Sequence, residues 1–371
     1  METIASEIPA RPSESSFADS LKELIVGRIR AASEQAARST PAPIEASMIG
    51  PIADIMMIGG ASIIACLLYW MFVDPTASIA NVAAMAYALS FVINYPHFAS
   101  SYQLLYGDYR AQILKKKSFF WAAIIAPVLI IAAIGSGIAM ASPAVLSFLI
   151  QGMYLSVGWH YVKQIFGVSI VASAVQKRYF GVWERTFILL NLYSVWAMSW
   201  VSSNLGIDKL DLDGVTYYTL GLPSWLMTVA YAATAITFLI AAGIMVRKYV
   251  ITGVRPATSS LVGFAAIYFW YLPTASHPLF FYFIPFFHSL QYLLFVYTLK
   301  KNQSSEAAST QTLPSLQRLV QFKKLWGFFA VAAVLGMAAF ELVPREMDKA
   351  LPIGAGLQYA GLWFFCFQPV H

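Results

Sequence analysis

The chain has 371 residues, of which 59% are hydrophobic, 15% aromatic and only 11% charged. A soluble domain carries about 25% charged residues, so this composition excludes an ordinary soluble fold and predicts a polytopic membrane protein, most simply one all-α helical bundle. The formal charge of +6 is spread over short loops between apolar stretches, which excludes a nucleic-acid surface and leaves membrane lipids as the expected surroundings.

Residues 1–50 read as a cytoplasmic tail. The first fifteen are rich in Pro, Ser and Glu and are expected to be disordered. Phe17 to Ala37 reads as a helix: Leu21, Leu24, Ile25 and Ile29 form an apolar stripe, with Lys22, Arg28 and Arg30 off it. Such a helix suits the inner membrane surface or packing against loops. No signal peptide is expected, because the first long apolar stretch begins about fifty residues in.

Residues 51–371 read as the transmembrane domain. Hydropathy predicts about ten spans, roughly 52–73, 79–103, 118–141, 144–173, 185–204, 223–246, 258–274, 276–299, 323–343 and 351–371. Basic residues follow every second span: Arg110 and Lys115 to Lys117, then Lys177, Arg178 and Arg185, then Arg247, Lys248 and Arg255, then Lys300 and Lys301. The intervening loops are neutral, or acidic as at Asp208, Asp211 and Asp213. The positive-inside rule then places the N-terminus in the cytoplasm of a bacterial-type inner membrane and sends even-numbered spans inward. Cys66 and Cys366 lie in apolar runs without metal-ligand spacing and are expected to be packing residues.

Five histidines remain: His97, His160, His277, His288 and His371. His97, His160, His288 and His371 fall at similar depth on four different spans. His277 lies eleven residues before His288, about 16 Å away along a helix, and is set apart. Each of three histidines heads a polar stripe at helical spacing: Asn94 and Ser101 around His97, Lys163 and Gln164 after His160, Gln291 and Tyr292 after His288. Ionisable groups inside a membrane are costly and tend to be functional, although each histidine alone could equally make a helix-to-helix hydrogen bond. Imidazoles suit Zn, Cu, Fe and Ni, and no carboxylate lies deep in the spans. Asn94, Gln164 and Gln291 are candidates to orient the rings.

Lys163 could form a Schiff base or neutralise an anionic group, or it could snorkel toward the cytoplasmic face, which its place in the inward half of its span favours. Pro96, Pro278 and Pro285 could kink helices beside the histidines. Aromatics crowd spans seven and eight, among them Trp270, Phe283 and Phe287. They serve either as lipid-facing packing or as pocket walls for a long hydrophobic substrate.

The segment HPLFFYFIPFFHSLQY resembles the late motif of the bacterial β-carotene-cleaving dioxygenases, also called bacteriorhodopsin-related proteins. NYPHF and GWHYVKQIFG are similar to that family's two earlier histidine motifs, in the same order. The resemblance implies a non-haem Fe(II) site on His97, His160 and His288, and oxidative cleavage or hydroxylation of a lipophilic, carotenoid-like small molecule. The second histidine of the late pair falls on Tyr292, and the acidic residues that accompany the first two motifs are absent. Either Tyr292 coordinates, or His371 completes the site, or the metal has been lost. The alternatives are a non-enzymatic subunit or transporter that uses the same histidines for haem or protons, in a homo- or hetero-oligomer, and a partner subunit whose polar stripes only hold helices together. A chain ending at His371 would leave a carboxylate near the inner leaflet, so further residues are expected beyond it.

Overall fold

A computed structural model describes residues 47–72, 79–140, 143–212, 215–274 and 280–350. The chain is helical almost throughout: α1 Pro51–Phe72, α2 Ile79–Val92, α3 Asn94–Gln103, α4 Lys117–Gly137, α5 Pro143–Val175 and α6 Val182–Ser202. It continues with α7 Trp225–Thr252, α8 Thr258–Thr274, α9 Phe280–Ser309 and α10 Pro314–Ala350. Among the described residues, four helices are long and apolar enough to cross a membrane: α1, α4, α7 and α10. The two helices that carry the later histidines are also long, 33 residues for α5 and 30 for α9. Their polar stripes make them less apolar, as expected of helices turned toward a protein interior. The segment from Phe17 to Ala37, and the span placed at 351–371, lie outside the described residues.

Between α6 and α7, where an acidic loop was expected, the chain forms a hairpin. Strand β1 (Lys209–Leu212) pairs antiparallel with β2 (Val215–Tyr218), Lys209 opposite Tyr218. The fold is all-α as expected, and this two-stranded hairpin is a short addition to it. The β-branched and aromatic run Val215-Thr216-Tyr217-Tyr218 favours extended backbone. The α5 helix also holds the main chain of β2: Ser147 accepts from the Tyr218 N–H at 3.2 Å, and Gln151 donates to the Tyr218 carbonyl at 3.2 Å.

The apolar stretch at 79–103 is not one helix. It breaks at Ile93 (φ −117°, ψ −58°), and α3 starts afresh at Asn94. Pro96 falls in the first turn of α3, where a missing N–H costs no helical hydrogen bond. The break gives α3 its own direction and lets it lie closely along α10. At Gly336 a Cβ would stand 2.5 Å from the Tyr95 carbonyl oxygen, so only glycine permits this approach, the small-residue device of helix packing. Phe340 then stacks on Tyr95 at 5.5 Å and meets Phe98 at 5.0 Å.

The main core lies where α5, α6, α8 and α9 meet, with Val162, Ile165, Leu192, Ile267 and Trp270 buried to 1% exposure or less. The α1 helix joins it through a break at Gly59 (φ 178°, ψ −20°). A Cβ there would stand 2.7 Å from that of Ala266. The break turns carbonyls out of the helical ladder, and side chains satisfy them. The Ser62 hydroxyl donates to the Gly59 carbonyl at 2.6 Å, and Gln291 reaches across from α9 to donate to that of Ile58.

Candidate histidine centre

Three helices bring three imidazoles together. His97 comes from the first turn of α3, His160 from the middle of α5, and His288 from the third turn of α9, just past Pro285. His288 stands between the others. Its ring centroid is 5.1 Å from that of His97 and 4.9 Å from that of His160, both edge to face. His97 is wholly buried, His288 is 1% exposed, and His160 is partly buried.

Two tyrosines flank this row. The ring of Tyr292, one turn beyond His288, lies 4.4 Å from His97, and its hydroxyl hydrogen-bonds Ser101. Ser101 in turn donates to the His97 carbonyl at 3.3 Å. On the other side Tyr161 packs its ring 4.2 Å from His288. Helical spacing could not single out Tyr161. It follows His160 directly, about 100° around the helix, and reaches the centre only because α9 sits in the angle between the two side chains.

The amides expected to orient the imidazoles do something else. Gln164 donates to the main-chain carbonyl of His288 at 2.8 Å and to the Gln291 side-chain oxygen at 3.3 Å, and Gln291 donates onward to Ile58. Asn94 donates to Ser90 at 3.1 Å. The glutamines clasp α1, α5 and α9 one turn past the rings, and Gln164 holds His288 through its backbone carbonyl. Interhelical hydrogen bonds of this kind contribute about 0.6 kcal/mol each, up to about 1.7.

The remaining candidates lie as follows. Lys163 places its ammonium 5.5 Å from the Phe166 ring centroid. Trp270 and Phe287 are packed in the main core, 1% and 7% exposed, and among the described residues the Trp270 indole nitrogen has no hydrogen-bond partner. The Phe283 side chain, His277 and His371 lie outside what is described.

The donor set and spacing can be tested against a metal. A metal–nitrogen bond of about 2.1 Å puts an imidazole centroid roughly 3.2 Å from the ion, and hence puts two centroids about 4.5 to 5.2 Å apart at right-angled to tetrahedral geometry. The separations of 5.1 and 4.9 Å lie in that range. Even so, among the described residues no group of three or more His, Cys, Asp or Glu side chains is arranged to hold a metal ion. The spacing by itself does not bring the ring nitrogens onto one point, and among the described residues a three-ligand cage is not formed. Haem fits less well. The residues that would hold it are the same histidines, and their rings are packed directly edge to face at 5.1 and 4.9 Å, which leaves little room for a macrocycle between them.

Comparison with protein-family models, with curated proteins and with solved structures gives no match to this chain.

Proposed function

We propose that this chain is a membrane-embedded oxygenase that binds iron among His97, His160 and His288 and acts on a long apolar, carotenoid-like molecule. The observation that carries the reading is the row of three imidazoles from three helices, with ring centroids 5.1 and 4.9 Å apart. Ferrous iron, when bound, supplies the activation of dioxygen. The protein's own part is to present neutral imidazoles, exclude water and fix geometry. Tyr292, beside His97, stands where the resemblance expects a fourth histidine, and its hydroxyl can hold or hand on a proton through Ser101. Aromatic packing around the centre keeps it dry, which strengthens every polar interaction inside.

The topology that accompanies this reading has ten spans, a cytoplasmic N-terminus and an inner-membrane location. His371, on the last span, is then a further ligand.

Metal analysis of the purified protein tests the proposal, with His97, His160 and His288 changed to Ala one at a time. Near-stoichiometric iron is expected in the unaltered chain and at least a tenfold loss in each variant. Full occupancy in all three variants overturns the site.

A further inference from the structure

The loops that join α5 to α6 (176–181) and α7 to α8 (253–257) lock together at one end of the bundle. Arg178 donates through Nη1 to the main-chain carbonyls of Arg255 at 3.3 Å and Pro256 at 3.4 Å. Lys248 reaches in from the end of α7, donating to the Tyr179 carbonyl and pairing with Glu184 at 2.6 Å. Glu184 is the only acidic residue in 174–190 and 244–260, and Lys248 takes it. Lys177, Arg178 and Arg255 are thereby left at one corner with no carboxylate partner among the described residues.

The backbone singles out this corner as well. Lys177 turns the end of α5 at φ 53° and is the one non-glycine residue with positive φ among those described, whereas α7 ends with Gly253 at φ 67°. That region is unfavourable for a side chain and open to glycine, so the turn alone would be better served by glycine at 177. Strain kept at such a position points to a use for the side chain, which is exposed here. Exposed tyrosines accompany the cations: Tyr179, and Tyr249, whose ring lies 5.4 Å from the Arg255 guanidinium. Tyrosines beside basic residues at helix ends mark the level of lipid headgroups. Arg178 spends one nitrogen on the loop carbonyls, and its others can take a phosphate in two-point fashion.

We propose that this corner binds the headgroup phosphate of an anionic phospholipid through Lys177, Arg178 and Arg255. The phosphodiester is the anion present at that depth, and a zwitterionic lipid brings a cation of its own that three clustered cations repel. On the topology proposed above, the lipid belongs to the cytoplasmic leaflet, whose anionic lipids attract such clusters. The site is independent of the metal reading, since it uses none of the histidines.

Native mass spectrometry of the full chain in non-ionic detergent, titrated with phosphatidylglycerol or phosphatidylcholine, tests it. Phosphatidylglycerol should bind at least tenfold more tightly, and Arg255→Gln and Lys177→Gly should each weaken it about fivefold, the loss expected for one cation at a membrane surface. Lys177→Gly should also leave the unfolding midpoint unchanged or raised, because glycine adopts that backbone without strain, which separates lost binding from a damaged fold. Lys177→Arg should bind as the unaltered chain does. So should Arg247→Gln, which removes an exposed cation beside Lys248, and so should His288→Ala, so that failure of the metal site leaves this result standing. Equal affinity for the two lipids, or unaltered binding by Lys177→Gly, overturns the proposal. An equal loss in Arg247→Gln assigns the attraction to diffuse charge and overturns the site. Displacement of the lipid by millimolar inorganic phosphate overturns the choice of a lipid as occupant.

Discussion

The side-chain amide of Gln164 donates to the main-chain carbonyl of His288 at 2.8 Å, across 124 residues of sequence. This bond fixes α9 against α5 one turn from the two imidazoles, and the same amide steadies Gln291 at 3.3 Å. The position of His288 is therefore set through backbone, by a residue that touches no histidine ring.

Replacing Gln164 by Leu keeps the volume but removes both bonds and leaves the Gln291 oxygen without its donor. A loss of about 1 to 2 kcal/mol in stability is expected. Outer groups that hold a ligand in place typically change metal affinity by about 10- to 100-fold, so iron binding should weaken as well. Thermal unfolding in detergent and metal titration of Gln164→Leu measure the two effects. Unchanged values in both would remove the clasp from the account.

Tyr292 gives a gain-of-function test. Its ring lies 4.4 Å from His97, and it occupies the place where the resemblance expects a second late histidine. Tyr292→His should tighten metal binding at least tenfold, while Tyr292→Phe should leave the fold intact and lose the Ser101 hydrogen bond. Isothermal titration with ferrous or zinc ion, on both variants, reads the difference. Equal affinities would mean that position 292 does not face the ion.

Gly336 is the contact that seats α3. A side chain there meets the Tyr95 main chain, with a Cβ 2.5 Å from the carbonyl oxygen, and backbone cannot move aside as a flexible side chain can. Gly336→Val should cost about 1 to 3 kcal/mol, the range of overpacked interiors, and should displace His97 from its partners. Chemical unfolding and the iron content of the same preparation report the two consequences together.

Glu341 is 7% exposed and lies in a widened turn of α10. It accepts from the Tyr87 hydroxyl at 2.8 Å and from the Tyr95 hydroxyl at 3.4 Å, and pairs with Arg345. Glu341→Ala leaves two tyrosine hydroxyls without their acceptor and is expected to cost about 2 to 3 kcal/mol. Arg345 is 61% exposed, so Arg345→Ala should cost under about 1 kcal/mol. Similar losses in the two variants, measured by unfolding, would show that the ion pair and not the tyrosine bonds secures this end of α10.

Much of the site was legible because helical periodicity is local. His288, Gln291 and Tyr292 share a face by spacing alone, as do His160 and Gln164, and the depth argument needed only a count of residues along each apolar stretch. The partners of the glutamines were not legible. The carbonyl that Gln291 satisfies exists because α1 breaks at Gly59, and that break answers to Ala266 of another helix. Tyr161 was invisible for a related reason: which of two adjacent residues faces a neighbour depends on where the neighbour packs. The hairpin at 209–218 escaped because its strands are four residues each and are held by Ser147 and Gln151, far away in sequence.

By itself the sequence determined that long apolar helices would form and that each histidine would carry polar company on its own face, since hydrophobic content and 3.6-residue periodicity act within a single segment. Only the tertiary structure decided that His288 would stand between His97 and His160, and that the glutamines would brace the main-chain carbonyls of His288 and Ile58. Those outcomes depend on which helices touch and at what height. Side-chain packing between distant segments sets both, and no local pattern encodes them.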